Sequence, residues 1–170
     1  MTELAIGHFC RFYTHTDTLK WSFQNFYINQ TPFDIDGVSY SFVPFGFSGL
    51  SASREGELSP TALVFPSNDL ARGYLSEALR GGTLAETAAE GIYRPYVVEV
   101  DVNILKPDST EVITKLLTYT GQCTAGGWND TTLQIELSSV LDAATAEIPA
   151  RTLQQKLVGQ LPLTSSVNLR

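Results

Sequence analysis

The sequence predicts a mainly β domain, a sandwich or barrel with one packed α-helix at about residues 67–80 and a long loop over residues 46–60. Three observations carry that expectation. Apolar and polar residues alternate with period two along much of the chain, as where Leu19, Trp21 and Phe23 interleave with Lys20, Ser22 and Gln24. A helical apolar stripe stands out in one segment, through Leu70, Tyr74, Leu75, Ala78 and Leu79. Between the alternating runs lie turn-forming residues, of which Asp36-Gly37 is the clearest because it tolerates the positive φ angles of a tight hairpin turn.

Taken in order, Ile6 to Tyr13 and Leu19 to Ile28 read as two aromatic-rich strands joined by a polar turn, each the other's ladder partner. Phe33 to Ile35 and Val38 to Phe45 flank Asp36-Gly37 as a hairpin. Residues 46–60, rich in Gly, Ser and charge, are too polar for core and too long for a plain turn. A short strand follows from Thr61 to Phe65. Pro66-Ser67-Asn68-Asp69 then supplies a helix cap and an acidic first turn, and Gly81-Gly82 ends the helix. Ile92 to Leu105 is the longest strand candidate, with Tyr96, Val98, Val100, Val102 and Ile104 on the core face and Glu99, Asp101 and Asn103 facing water or a polar partner. After a turn at Lys106 to Ser109 come a strand from Glu111 to Cys123, a Gly-rich hairpin loop from Thr124 to Asp130, and a return strand from Thr131 to Leu137 with Leu133, Ile135 and Leu137 inward. Ser138 to Ala146 suits a helical turn that Pro149 breaks, and Leu153 to Leu163 suits a closing strand or an arm.

Size and composition limit what such a domain does. A chain of 170 residues with 43% hydrophobic and 17% charged residues can bury an ordinary core as one domain, 1–170, with a possible extended arm over 150–170. The net charge of -7 argues against a sequence-independent grip on nucleic-acid phosphates. Two cysteines, Cys10 and Cys123, are too few for a disulfide scaffold and read as reduced and buried. The amino terminus has no signal-peptide pattern and no apolar run long enough to span a membrane, so a cytosolic site of synthesis is expected.

The residues offer little catalytic chemistry. His8 and Cys10 share a strand face near His15 and Asp17, but a closed metal site needs four ligands at suitable spacing, so no metal or other cofactor is expected. Asp34 and Asp36 are explained by turn chemistry rather than by a calcium loop. Neither Gly81-Gly82 nor Gly126-Gly127 lies in a phosphate-binding pattern. No set of acid, base and nucleophile stands out, and the chain is read as a non-enzyme. Trp21, Trp128 and the seven tyrosines leave open a sugar-stacking platform, with Trp21 more suited to the core and Trp128 to an exposed loop.

An ordered series of weak motifs carries a resemblance. The strand, turn and strand through Gly37, Tyr40 and Pro44, the apolar strand from Pro60 to Ser67-Asn68, and the helix closed by Gly81-Gly82 resemble the minor tail proteins of long-tailed bacteriophages, the lambda-type minor tail protein L family and its short relatives. Thr120 to Cys123, Asn129 to Leu137 and Ile148 to Arg151 are similar to that family's later block, so the likeness runs from about Phe33 to Arg151. The family's cysteine-rich C-terminal domain has no counterpart here, and no iron–sulfur cluster is implied.

The resemblance implies a β-sandwich or barrel of tail-tube or hub type. It implies a virion protein of the tail tip or baseplate hub, assembled in the host cytoplasm as a trimeric or hexameric ring. Its partners would be a tail-tube or distal tail protein and a central hub or fibre protein, with DNA only as passing cargo and no membrane. Candidate interface residues are Phe47, Leu50, Arg54, Glu55 and Glu57 in the loop, Trp128 in the later hairpin, and Arg151 in the tail. The competing expectation is a glycan-binding β-sandwich used for host attachment, which would be monomeric or a small oligomer with exposed aromatics on one face.

Overall fold

Alternation in the sequence becomes nine strands of one mixed sheet, and the helical stripe becomes a helix laid against it. The computed structural model describes residues 4–26, 33–48, 61–90, 94–107 and 109–139. The strands are β1 (Ala5–Tyr13), β2 (Leu19–Gln24), β3 (Phe33–Ile35), β4 (Val38–Phe42), β5 (Gly46–Phe47), β6 (Thr61–Pro66), β7 (Val97–Leu105), β8 (Val112–Trp128) and β9 (Thr132–Ser139). They lie in the order β3-β4-β2-β1-β7-β8-β9-β6-β5, and of the neighbouring pairs only β2 and β4 run parallel. β1 and β2 are ladder partners as expected, with Cys10 opposite Phe23. The Asp36-Gly37 turn has the positive φ values its hairpin needs, 51° and 80°.

The sheet curls until its distant strands meet. β2 and β6 stand five places apart in the sheet, yet the rings of Phe23 and Phe65 are 6.3 Å apart. The chain between β4 and β5 closes the gap: Val43 N–H donates to the Gln24 carbonyl at 2.9 Å, and the Asn25 amide donates to the Phe45 carbonyl at 2.9 Å. The enclosed core contains Cys10, Phe12, Leu63, Val98, Val100, Cys123 and the inward row Leu133, Ile135 and Leu137 of β9. The expected mainly β fold with one packed helix is therefore the observed one.

Helix α1 (Asp69–Arg80) begins at Asn68, whose side chain accepts from Ala71 N–H at 2.8 Å, and ends at Gly81 in the left-handed conformation. Leu75 and Ala78 are its buried residues, while Leu70, expected on the same stripe, is 66% exposed. Tyr96 fastens the helix to the sheet: its hydroxyl donates to Glu77 Oε1 at 2.9 Å and its backbone N–H donates to the Ala78 carbonyl at 2.8 Å.

Four expectations are corrected. A short second helix, α2 (Leu84–Glu90), follows the glycine pair. Thr83 and Glu86 cap it reciprocally, with Glu86 Oε2 accepting from Thr83 N–H at 2.8 Å and Thr83 Oγ1 accepting from Glu86 N–H at 3.3 Å. The strand expected from Ile92 begins at Val97. The Gly-rich loop expected over Thr124 to Asp130 is mostly strand, since β8 continues to Trp128 and the turn is confined to Asn129–Thr131. Asn129 Oδ1 closes that turn by accepting from Thr131 N–H and Thr132 N–H at 2.9 and 2.7 Å. Gly126 serves packing there, because a Cβ at that position would collide with the Leu75 side chain of α1.

The fourth correction concerns β7: Val102 and Ile104, expected on the core face, are only half-buried, and of the two settings expected for the opposite face it is polar partners, not water, that Asp101 meets. Asp101 and Asn103 are buried, 4% and 3% exposed, because the β3–β4 hairpin folds over that side of the sheet. Tyr40 of the hairpin joins Phe9, Phe26 and Leu105 in a second apolar cluster, with Ile35, Val38 and Val112 packed around it. The expected helical turn and arm after Ser139, including residues 150–170, lie outside the described residues.

Candidate functional site

Two features stand apart from the core: a charged cleft under the hairpin and a long, exposed strand. The cleft forms because outward residues of β1, β7 and β8 fall in register. Arg11 lies opposite Glu99, and Asp101 lies opposite Phe9 on one side and Thr118 on the other. Asp101 therefore sits among donors: it accepts from Arg11 Nη2 at 2.9 Å and Thr118 Oγ1 at 2.6 Å, and Lys115 Nζ stands 3.1 Å away. Arg11 also pairs with Glu99 at 3.0 Å. A buried carboxylate in such company is satisfied, and replacing one partner would strand the others.

The cavity has a volume of about 310 Å³ and is closed on its far side by Asp36, Ile35, Val38 and Tyr40 of the hairpin and by Val112. Burial opposes the charge on Arg11, but nearby Tyr40, Asp101, Tyr13 and Glu99 outweigh it and raise its pKa above the ordinary value. Burial likewise pushes the Tyr40 hydroxyl up to about 12, so it stays protonated through the physiological range. The sequence signal for the cleft was the run Glu99, Asp101, Asn103 on one strand face. Its burial depends on a hairpin sixty residues earlier, which local pattern does not reveal.

Strand β8 is the second feature. Its middle is buried at Tyr119 and Cys123, but every residue from Ile113 to Thr118 is exposed, as is every residue from Thr124 to Trp128. Ile113, Leu116 and Leu117 are 47%, 55% and 37% exposed. β7 pairs with β8 from Val112 to Gln122, whereas the described β9 ladder begins only at Gly121.

The expected interface residues divide accordingly. Trp128 is 54% exposed, but it ends a strand opposite Leu133 and does not cap a loop. Phe47 is half-buried and packs on the core, its ring 5.8 Å from Tyr119 and 6.1 Å from His8, so the start of the expected loop contributes to packing. Leu50, Arg54, Glu55, Glu57 and Arg151 lie outside the described residues. Trp21 is half-buried against the core, with Tyr74 4.6 Å away.

The cysteines and His8 point into the protein. Burial pushes the Cys123 thiol up to about 12 and Cys10 also well above the ordinary thiol value. Among the described residues, no group of three or more His, Cys, Asp or Glu side chains is arranged to hold a metal ion. No helix among them is long and apolar enough to cross a membrane. The sequence matches no protein-family model and no curated protein.

Proposed function

We propose that this chain is a structural subunit of a bacteriophage tail tip. In this reading, copies form a trimeric or hexameric ring that joins the tail tube, or a distal tail protein, to the central hub or fibre and encloses the DNA channel. The supporting observation is β8, which exposes Ile113, Leu116 and Leu117 beyond the described β9 ladder. Large aliphatic side chains exposed along one strand are a surface that association covers. Cyclic assembly repeats a single heterologous contact, and strands can extend a sheet across it. The net charge of -7 suits a channel that must not retain passing phosphates. On this proposal the protein is made and assembled in the host cytoplasm and resides in the virion, without enzymatic activity.

Sedimentation or mass photometry of the full chain, alone and with the tail-tube protein from the same genome, tests the proposal. Discrete trimers or hexamers, or a stoichiometric complex with the tube, are expected. A chain that stays monomeric at micromolar concentration and ignores the tube protein overturns it.

A further inference from the structure

A pocket beside the N-terminal half of α1 reaches from the surface into the enclosed core. Its deep side is lined by Phe12, Phe23 and Phe65, all buried, and its outer side by half-buried Trp21 and Tyr74. Leu70 lines it too, yet is 66% exposed, so the helix stripe does not fill this space with its own leucine. The rings already form an array. Phe12 meets Trp21 and Phe23 edge-on, with centroids 5.6 and 6.0 Å apart, and Tyr74 lies tilted against the same two rings at 4.6 and 5.8 Å. Among the described residues no charged side chain lines the pocket, and none of its lining residues holds a buried polar atom that lacks a hydrogen bond.

We propose that this pocket binds a small uncharged molecule with a single aromatic ring, of about the size of benzene. Volume, polarity and ring geometry select this class. An apolar cavity of roughly 150 Å³ takes up benzene. This one measures about 100 Å³ and opens to solvent beside Leu70, so one ring enters with its edge at the opening, whereas a fused ring or a long acyl chain does not fit. Water is a poor occupant, because it needs two to four polar partners and the deep side is hydrocarbon and ring. A carboxylate or an ammonium group would shed its hydration and find no opposite charge in the lining. A flat ring extends the existing array in the tilted and edge-to-face arrangements that the ring quadrupole favours, and it buries its own apolar surface in doing so. Attraction of a cation to the ring faces is the competing outcome, and no acidic group is present in the lining to assist it. The inference is independent of the proposed assembly and uses none of its candidate residues.

Saturation-transfer NMR on the full chain provides the test, with toluene as the probe and benzoate, tetramethylammonium and cyclohexane as controls. Transfer to toluene, weaker transfer to cyclohexane and none to either ion are expected. Toluene should also shift the indole N–H resonance of Trp21 and leave that of Trp128 in place, since Trp128 is exposed and lies outside the pocket; Trp128→Phe assigns the two signals. Ala71 lines the pocket, so Ala71→Leu fills part of it and should weaken toluene binding by about tenfold or more. Should that variant lose the native circular dichroism spectrum, Val43→Phe fills the pocket from the segment before β5 and is expected to have the same effect. No transfer at about 3 mM toluene, where a millimolar site would be mostly filled, overturns the proposal. So do a shift of Trp128 in place of Trp21, unchanged binding in a filled variant that keeps its fold, or preference for tetramethylammonium, benzoate or cyclohexane over toluene.

Discussion

Asn25 shows how one side chain ties β1 to the segment before β5 and fixes the ring of His8. Asn25 Oδ1 accepts from the His8 backbone N–H at 2.8 Å, and the Asn25 amide nitrogen donates both to the Phe45 carbonyl and to His8 Nδ1, each at 2.9 Å. That network needs a lone pair on Nδ1, so the imidazole is neutral with its proton on Nε2. Burial holds its pKa below the ordinary 6.5. Because the folded value is the lower one, the unfolded chain binds more protons as pH falls past 6.5. The stability His8 contributes is complete above that pH and is lost as pH falls through the folded value. Thermal unfolding measured from pH 7.5 to 5 should show the midpoint falling with acid. His8→Phe should fall less steeply, by up to about 1.4 kcal/mol per pH unit; parallel slopes would remove His8 from the account. Gly81 is a second residue-scale constraint. Its φ of 83° suits glycine, and a Cβ there would run into the Arg94 carbonyl. Gly81→Ala should therefore cost more than the roughly 1 kcal/mol of the left-handed conformation alone, read as a lower denaturant midpoint with an unchanged slope.

At the scale of elements, the helices and hairpins were legible where local chemistry suffices. Asn68, Asp69 and Gly81 marked the ends of α1, and Asp36-Gly37 marked its turn. Asn68→Ala should lower stability by about 1 kcal/mol, since the Ala71 N–H loses its acceptor, and Asn68→Asp should restore most of it; equal unfolding midpoints for all three chains would show that the cap contributes nothing. α2 had a signature too, Thr83 followed three residues later by Glu86, but it is only seven residues long and lacks the periodic stripe that identifies a longer helix. The Gly126-Gly127 pair misled for a physical reason. Glycine is permitted in a turn and is also required where a helix side chain presses on a strand, and only the position of Leu75 distinguishes the two. The aliphatic residues of β8 read as ordinary strand residues. That Ile113, Leu116 and Leu117 are exposed is a matter of tertiary contact, which no period-two pattern reports.

For the whole molecule, the enclosed core and the smaller cluster under the hairpin lie on opposite faces of β1 and β7. The assembly proposal is tested most directly at the exposed aliphatic side chains of β8. Leu116→Glu and Ile113→Glu place charge on side chains that touch little in the isolated chain, so the unfolding temperature should move by less than about 0.5 kcal/mol equivalent. Both should nevertheless convert the proposed ring into smaller species in sedimentation. A ring that survives both substitutions would locate the contact elsewhere. What the sequence determined by itself was the strand character of the longer runs, the helix α1, the inward row of β9 with Val98 and Val100 of β7, and the two buried cysteines, because these depend on residues two to four positions apart. Only the tertiary structure decided that Asp101 and Asn103 line a covered cleft, that Arg11 and Lys115 converge on Asp101, and that Phe47 packs against the core. Those arrangements depend on segments distant in sequence, and the hairpin is drawn over the sheet by the burial of Tyr40, Ile35 and Val38 against Phe9 and Leu105. A hydrophobic driving force of that kind has no direction along the chain, so local pattern does not encode where it acts.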